Sequence, residues 1–242
     1  MTDPTIAHPP IAAREEWVTA RKALLAEEKA LTRRRDAVNA MRRRLPMVRV
    51  DKRYVFDGPT GELRLLDLFE GRRQLIIYHF MFDPAWEAGC PGCTGFINSL
   101  GDLSLLAARD TTMAIISRAP LEKLERYRAS RDWHLPWLSS YRSEFNYDFH
   151  ASQDEAIAPV EHNYRSQAEL EPSGQARFAR GENHALSVFF RIDAEIFHCY
   201  STFARGTEGI TDAFSLLDAT PYGRQLDFEE SPRGWPQRPT YG

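Results

Sequence analysis

Cysteine is scarce in this chain: there are 3 in 242 residues, and two of them stand in one Cys90-Pro91-Gly92-Cys93 motif. So few cysteines exclude a disulfide framework and point to a reducing compartment. Long apolar runs are missing as well. The longest, around Leu75 to Phe82, is far too short to span a bilayer. Met1 to Pro10 lacks the charged start and apolar centre of a signal peptide. Together these absences predict a cytoplasmic protein that does not work in a membrane. No sign of charge dominates either. The net charge of -3 predicts no general attraction to nucleic acid or anionic lipid. Glycine-rich phosphate loops and the H-E-x-x-H pattern are absent. What remains is a globular composition, 43% hydrophobic and 27% charged, long enough for one large domain or two small ones.

The informative stretch is Phe80 to Cys93. It follows an apolar run, Gln74 to Phe80, that reads as a buried strand. It precedes a helical pattern, to about Arg109, that puts Phe96, Leu100, Leu103 and Ala107 on one face. A helix start presents unpaired backbone N–H groups and a partial positive charge, and both favour a thiolate at the first cysteine. Pro91 suits the first turn, where its missing N–H is not needed. A redox dithiol is the reading this placement favours. The alternatives for the same pair are a zinc half-site and two inert packed thiols.

The rest of the chain orders itself around that motif. Ala12 to Leu45 is free of Gly and Pro and reads as one helix, on the order of 45–50 Å long at 1.5 Å per residue. Trp17, Leu24, Leu31, Val38 and Leu45 recur every seven residues as a narrow apolar stripe. Arg33 to Arg35 and Arg42 to Arg44 wrap around the same helix, a solvated face beside Glu27, Glu28 and Asp36. Strands are expected within Val48 to Phe56 and Glu62 to Phe69. The core then reads as strand 74–81, the Cys-x-x-Cys helix, strand 111–117 and a helix from Pro120, which is a parallel-sheet rhythm. Residues 133–184 break that rhythm and read as an aromatic-rich insertion with little regular structure. A hairpin turns at Asp193-Ala194 between Leu186–Arg191 and Glu195–Tyr200, and a last helix covers Ile210 to Leu217. The expected division is 1–45 arm and long helix, 46–225 body with the 133–184 insertion, and 226–242 extended tail.

This order is that of the thioredoxin fold: a central mixed sheet flanked by helices, here with a long N-terminal helix added. Several longer words resemble the bacterial DUF899 thioredoxin-like family. They include Tyr54-Val55-Phe56-Asp57-Gly58, Leu66-Asp67-Leu68-Phe69, Gln74 to Phe82, Ser117-Arg118-Ala119-Pro120-Leu121, Phe145-Asn146-Tyr147-Asp148-Phe149, His198 to Gly206 and Leu217 to Arg224. The resemblance covers about residues 15–225. It implies a dithiol–disulfide oxidoreductase with no assigned substrate. Two positions depart from the family's usual pattern: Cys199 stands where Thr or a similar residue is usual, and Arg238-Pro239-Thr240-Tyr241 replaces a segment with a His-Asp pair.

On this reading Cys90 is the nucleophile and Cys93 the resolving thiol. Trp86 stands over the dithiol or plugs the core. Ser117 and Arg118 end a strand on the edge where parallel sheets bind ligands. His184 occupies the place, just before the first hairpin strand, where thioredoxin-like proteins carry a cis-proline; a trans peptide and an imidazole near Cys90 are expected there. Cys199 and His79 read as core residues. No cofactor or metal is required. The partner is a disulfide-containing protein or a small thiol, with a peroxide as a further candidate substrate, and the long helix offers a surface for a homodimer. The competing reading is a redox-inert or metal-binding scaffold that acts through its basic N-terminal helix.

Overall fold

The computed structural model describes residues 6–227 and 229–238, except the side chains of 213 and 214. In chain order the elements are α1 Arg14–Arg42, β1 Val48–Arg49, β2 Val55–Gly58, β3 Gly61–Arg64, β4 Gln74–His79, α2 Pro91–Asn98 and α3 Ser104–Ala108. Then follow β5 Thr111–Ser117, α4 Leu121–Ala129, β6 Trp137–Ser139, α5 Phe145–Asp148, β7 Ser152–Gln153, β8 Glu161–His162, β9 Arg165–Ser166 and α6 Gln167–Leu170. The last are β10 Gly181–Glu182, β11 Ala185–Ile192, β12 Glu195–Phe203 and α7 Asp212–Asp218. The chain divides into two compact units, 47–214 and 1–46 with 215–242.

The unit 47–214 is a thioredoxin-like body. Its 8-stranded sheet has the order β1-β12-β11-β4-β5-β6-β2-β3. β4, β5 and β6 run parallel, while β11 lies antiparallel to β4 and pairs in turn with β12 as a hairpin. Strand period two sorts the core. Leu75 and Ile77 of β4, Ala114 and Ile116 of β5 and Leu138 of β6 pack on one face with Phe56, Phe145 and Phe189. Tyr78, Met113, Ile115 and Trp137 turn to the other, against Cys93, Phe96 and Ile97 of α2 and Leu124 of α4. The dithiol helix is therefore pinned to the sheet by its own apolar side.

Three expectations change. The Cys-x-x-Cys helix stops at Asn98 rather than near Arg109, and α3 is separate. The Ser99 hydroxyl donates to the Gly95 carbonyl at 2.6 Å, and Asp102 accepts from the Ser104 N–H and hydroxyl at 2.9 and 2.8 Å, so the chain is capped twice between the helices. A Cβ at Gly101, in this break, would meet the Asp212 carboxylate at 2.5 Å, so that side chain would have to turn aside. The segment 133–184 is more regular than expected, because Trp137–Ser139 is a strand of the central sheet and Trp137 is fully buried. Cys199 is half-buried rather than in the core. Val188 pairs with Tyr200 and Phe189 with His198, so Cys199 is the extra residue of a β-bulge. The bulge turns His198 and Ser201 to one side, where they hydrogen-bond at 2.7 Å. His79 is a core histidine: its ring stacks on Phe145 and its Nε2 bonds the Ser187 hydroxyl at 2.9 Å, and burial lowers its pKa to about 3, so it is neutral.

In the other unit, α1 buries none of its residues. Leu24 and Leu31 of the apolar stripe are 54% and 62% exposed. Arg21 pairs with Glu28 at 2.8 Å, one of the charged partners expected along the helix. The Tyr222 hydroxyl donates to the Ala7 carbonyl, and Tyr222 packs edge-on to Trp235. Of the departing segment Arg238 to Tyr241, only Arg238 lies within the described residues; it bridges Leu226. No helix among the described residues is long and apolar enough to cross a membrane.

Candidate active site

β4 delivers Phe80 and Met81 to the start of α2, and Met81 holds both cysteines. Its carbonyl accepts the Cys90 N–H at 3.0 Å, and its own N–H donates to Cys93 Sγ at 3.4 Å. Cys90 is the N-cap of α2 and Pro91 opens its first turn, as expected. The Cys90 carbonyl accepts from both the N–H and the hydroxyl of Thr94 at 2.9 Å. Thr94 is joined in turn to the Tyr127 hydroxyl at 2.8 Å. Gly89 lies hard against Phe80: a Cβ there would sit 2.6 Å from the ring. Gly89→Ala should therefore lower stability by about 1–3 kcal/mol, read as a lower Tm, because the Phe80 ring it would strike is fully buried.

The two thiols are hydrogen-bonded to each other and stand in opposite surroundings. Cys90 is half-buried, whereas Cys93 is 2% exposed. The Cys90 pKa is lowered to about 6. The hydrogen bond from the Cys93 thiol is the main cause, opposed by burial and helped by the N–H groups of Cys93 and Gly92 at the helix start. Burial raises the Cys93 pKa well above that of an ordinary thiol, and the neighbouring Cys90 raises it further; the Tyr78 hydroxyl and the Met81 N–H pull the other way. The outer sulfur is thus the one poised to be a thiolate near neutral pH, and the inner one stays a thiol.

The remaining sequence candidates separate. Trp86 is 37% exposed in the loop before Cys90, neither plugged into the core nor stacked on another ring among the described residues. Its carbonyl and that of Pro84 each accept from Lys123 Nζ at 2.9 Å, so α4 staples this loop. Ser117 is an internal peg: its hydroxyl donates to the Phe80 carbonyl at 2.7 Å and accepts from the Trp137 indole at 3.0 Å, with no exposure. Arg118 is held between Glu182 and Asp83, at 2.7 and 3.2 Å. His184 turns to the Ala204 carbonyl at 3.2 Å, and burial lowers its pKa. The groups that shift Cys90 are Cys93 and Gly92, not His184. There is no cis peptide among the described residues, so the peptides around His184 are trans as expected. No group of three or more His, Cys, Asp or Glu among the described residues could hold a metal ion.

Four groups at the site were not singled out in the sequence. Tyr78 was accessible in principle, since strand alternation puts it on the α2 side. Lys123 and Tyr127 are one helical turn apart on α4 and so share a face. Glu182, a carboxylate buried far along the chain from its partner, had no local signal.

Comparison with known proteins gives one match over most of the chain: the family model "Bacterial protein of unknown function (DUF899)" matches residues 6–241. No curated protein matches. Among solved structures, the peroxidoxin BcpB of Mycobacterium tuberculosis is 15% identical, with a TM-score of 0.42 over 66% of this chain and 85% of that one. A yeast mitochondrial 1-Cys peroxiredoxin is 14% identical, with a TM-score of 0.42 over 72% and 78%. BsSco, of the Sco family of cytochrome c oxidase assembly proteins, is 15% identical, with a TM-score of 0.39 over 69% and 91%.

Proposed function

Since the chain belongs to the DUF899 family of bacterial proteins of unknown function, we propose its activity from its own geometry: it is a thiol–disulfide oxidoreductase with Cys90 as nucleophile and Cys93 as resolving thiol. One observation carries the proposal. Two hydrogen-bonded thiols sit at a helix start with their pKa values driven apart, the more exposed one down to about 6 and the buried one up. That is the division of labour exchange requires. The Cys90 thiolate attacks one sulfur of R–S–S–R′; a Cys90–S–S–R bond forms, and R′–S⁻ leaves with the electron pair of the broken bond. Cys93 then loses its proton and attacks the Cys90 sulfur. R–S⁻ leaves and takes that proton, and a Cys90–Cys93 disulfide remains. Two electrons have passed from the dithiol to the substrate, and an external thiol reductant returns them by the reverse route.

Trp86 and Pro91 shape the approach to Cys90 in this proposal, and Ser117 holds the Phe80 carbonyl beneath it. The rate of Cys90 alkylation by iodoacetamide should rise with pH through a midpoint of about 6. Cys93→Ala removes the main hydrogen-bond donor and should move that midpoint upward. A wild-type midpoint at the ordinary thiol value of 9.0 would overturn the proposal and favour an inert scaffold.

A further inference from the structure

The loop that carries the dithiol also walls a cavity of about 360 Å³. Asp83, two residues beyond the Met81 that binds both cysteines, lines it. Its Cα is within about 7 Å of the Met81 Cα, because the chain spans at most ~3.6 Å per residue. Arg118 stands across from it, with its guanidinium 4.8 Å from the Tyr147 ring centre. Its Nε donates to Glu182 and one terminal nitrogen to Asp83. The other terminal nitrogen has no acceptor among the described residues and is not a buried orphan, so it is open to a ligand. Glu182 is fully engaged: its second oxygen takes the Ser152 hydroxyl at 2.9 Å.

The mouth of the cavity presents both signs of charge. Gly181 faces Gln153 and Glu182 faces Ser152 across the β10–β7 pair, so the next facing residues are Arg180 and Asp154. Both line the cavity and both are exposed, yet no ion pair joins them. Glu155 continues the lining beside Asp154. A purely anionic ligand meets Asp154 and Glu155, and a purely cationic one meets Arg180. A zwitterion satisfies both.

We propose that this cavity holds the non-reacting arm of a low-molecular-weight disulfide whose arms end in an α-amino-acid head group, with its sulfur turned towards Cys90. Arg180 and the open nitrogen of Arg118 take the carboxylate; Asp154 and Glu155 take the ammonium. The inference rests on the dithiol reading above and names its substrate class. The size and lining of the cavity carry it: there is room for one amino acid, and most of the residues around it are charged or polar, with Tyr147 the one aromatic ring.

The test compares kcat/KM for four disulfides: cystine, cationic cystamine, dianionic 3,3′-dithiodipropionate and neutral bis(2-hydroxyethyl) disulfide. Cystine should be favoured. Arg180→Gln and Asp154→Asn, both at exposed positions, should each lower the ratio of cystine to hydroxyethyl disulfide about tenfold, the scale of one charge-assisted contact. In parallel, equilibrium dialysis of S-methylcysteine, which has no disulfide to exchange, against the Cys90→Ser protein should show saturable binding that Arg180→Gln removes. Equal kcat/KM for all four disulfides, or no S-methylcysteine binding, overturns the inference. S-methylcysteine binding with no turnover of any disulfide would instead overturn the dithiol reading and leave the cavity assignment standing.

Discussion

Cys93→Ser should convert the protein from a turnover catalyst into a trap. Incubated with a disulfide, it should gain the mass of one R–S group on Cys90 and stop there, while Cys90→Ser should show only the uncatalysed background. The variant is chosen for its chemistry. Serine keeps an O–H that can donate to the Cys90 thiolate, and an oxygen that can accept from the Met81 N–H as Cys93 Sγ does now at 3.4 Å. Cys90 thus retains a donor in place of the main cause of its lowered pKa, so attack proceeds and only resolution is lost. Intact-protein mass spectrometry, before and after reduction, measures the outcome. Full turnover by Cys90→Ser would remove Cys90 from the mechanism.

The second large effect is on stability. Above pH 7, where Glu182 is ionised, Arg118→Met should destabilise the body by roughly 3–5 kcal/mol, because it strands the Glu182 carboxylate, 1% exposed, without its cation. Glu182 also sets a pH dependence. Burial pushes its pKa up to about 7 from 4.5, outweighing the Arg118 guanidinium and the Ser152 hydroxyl that favour the ionised form. The folded state therefore holds this proton more tightly than the unfolded chain. The corresponding stability is fully present below pH 4.5 and is lost as pH rises to about 7, a change on the order of 3 kcal/mol. Glu182→Gln should flatten that part of the urea-unfolding curve against pH. A slope unchanged by Glu182→Gln would show that another group titrates there.

How much of this was legible depended on the range of the cause. The alternation Leu75, Ile77 against Tyr78, Phe80 is local, so the strand and its two faces could be read directly. The junction that polarises Cys90 is also local, and the sequence placed both cysteines and Pro91. The end of α2 was hidden because Leu100, Leu103 and Ala107 continue the apolar period across a break made by Ser99, Gly101 and Asp102. β6 was hidden by its length, 3 residues, which is too short to show a period. Ser117 and His184 were found but their directions were not. Ser117 turns inward because the Trp137 indole needs an acceptor in the core, and His184 is drawn to Ala204 beyond the end of β12. The Arg118–Glu182 pair depends on tertiary closure alone.

The pairing of β4 with β11 bears on biosynthesis. Gln74 lies opposite Phe190, so β4 leaves the ribosome roughly a hundred residues before the strand that completes its hydrogen bonding, and contacts of such separation form late in folding. Cys90 and Cys93 emerge in that interval. On the nascent chain they are two ordinary thiols, since the difference between them comes from the packing around Cys93 and the geometry of α2. The newly made protein therefore passes through a period in which either cysteine is open to oxidation. It acquires a preferred nucleophile only when the central sheet closes.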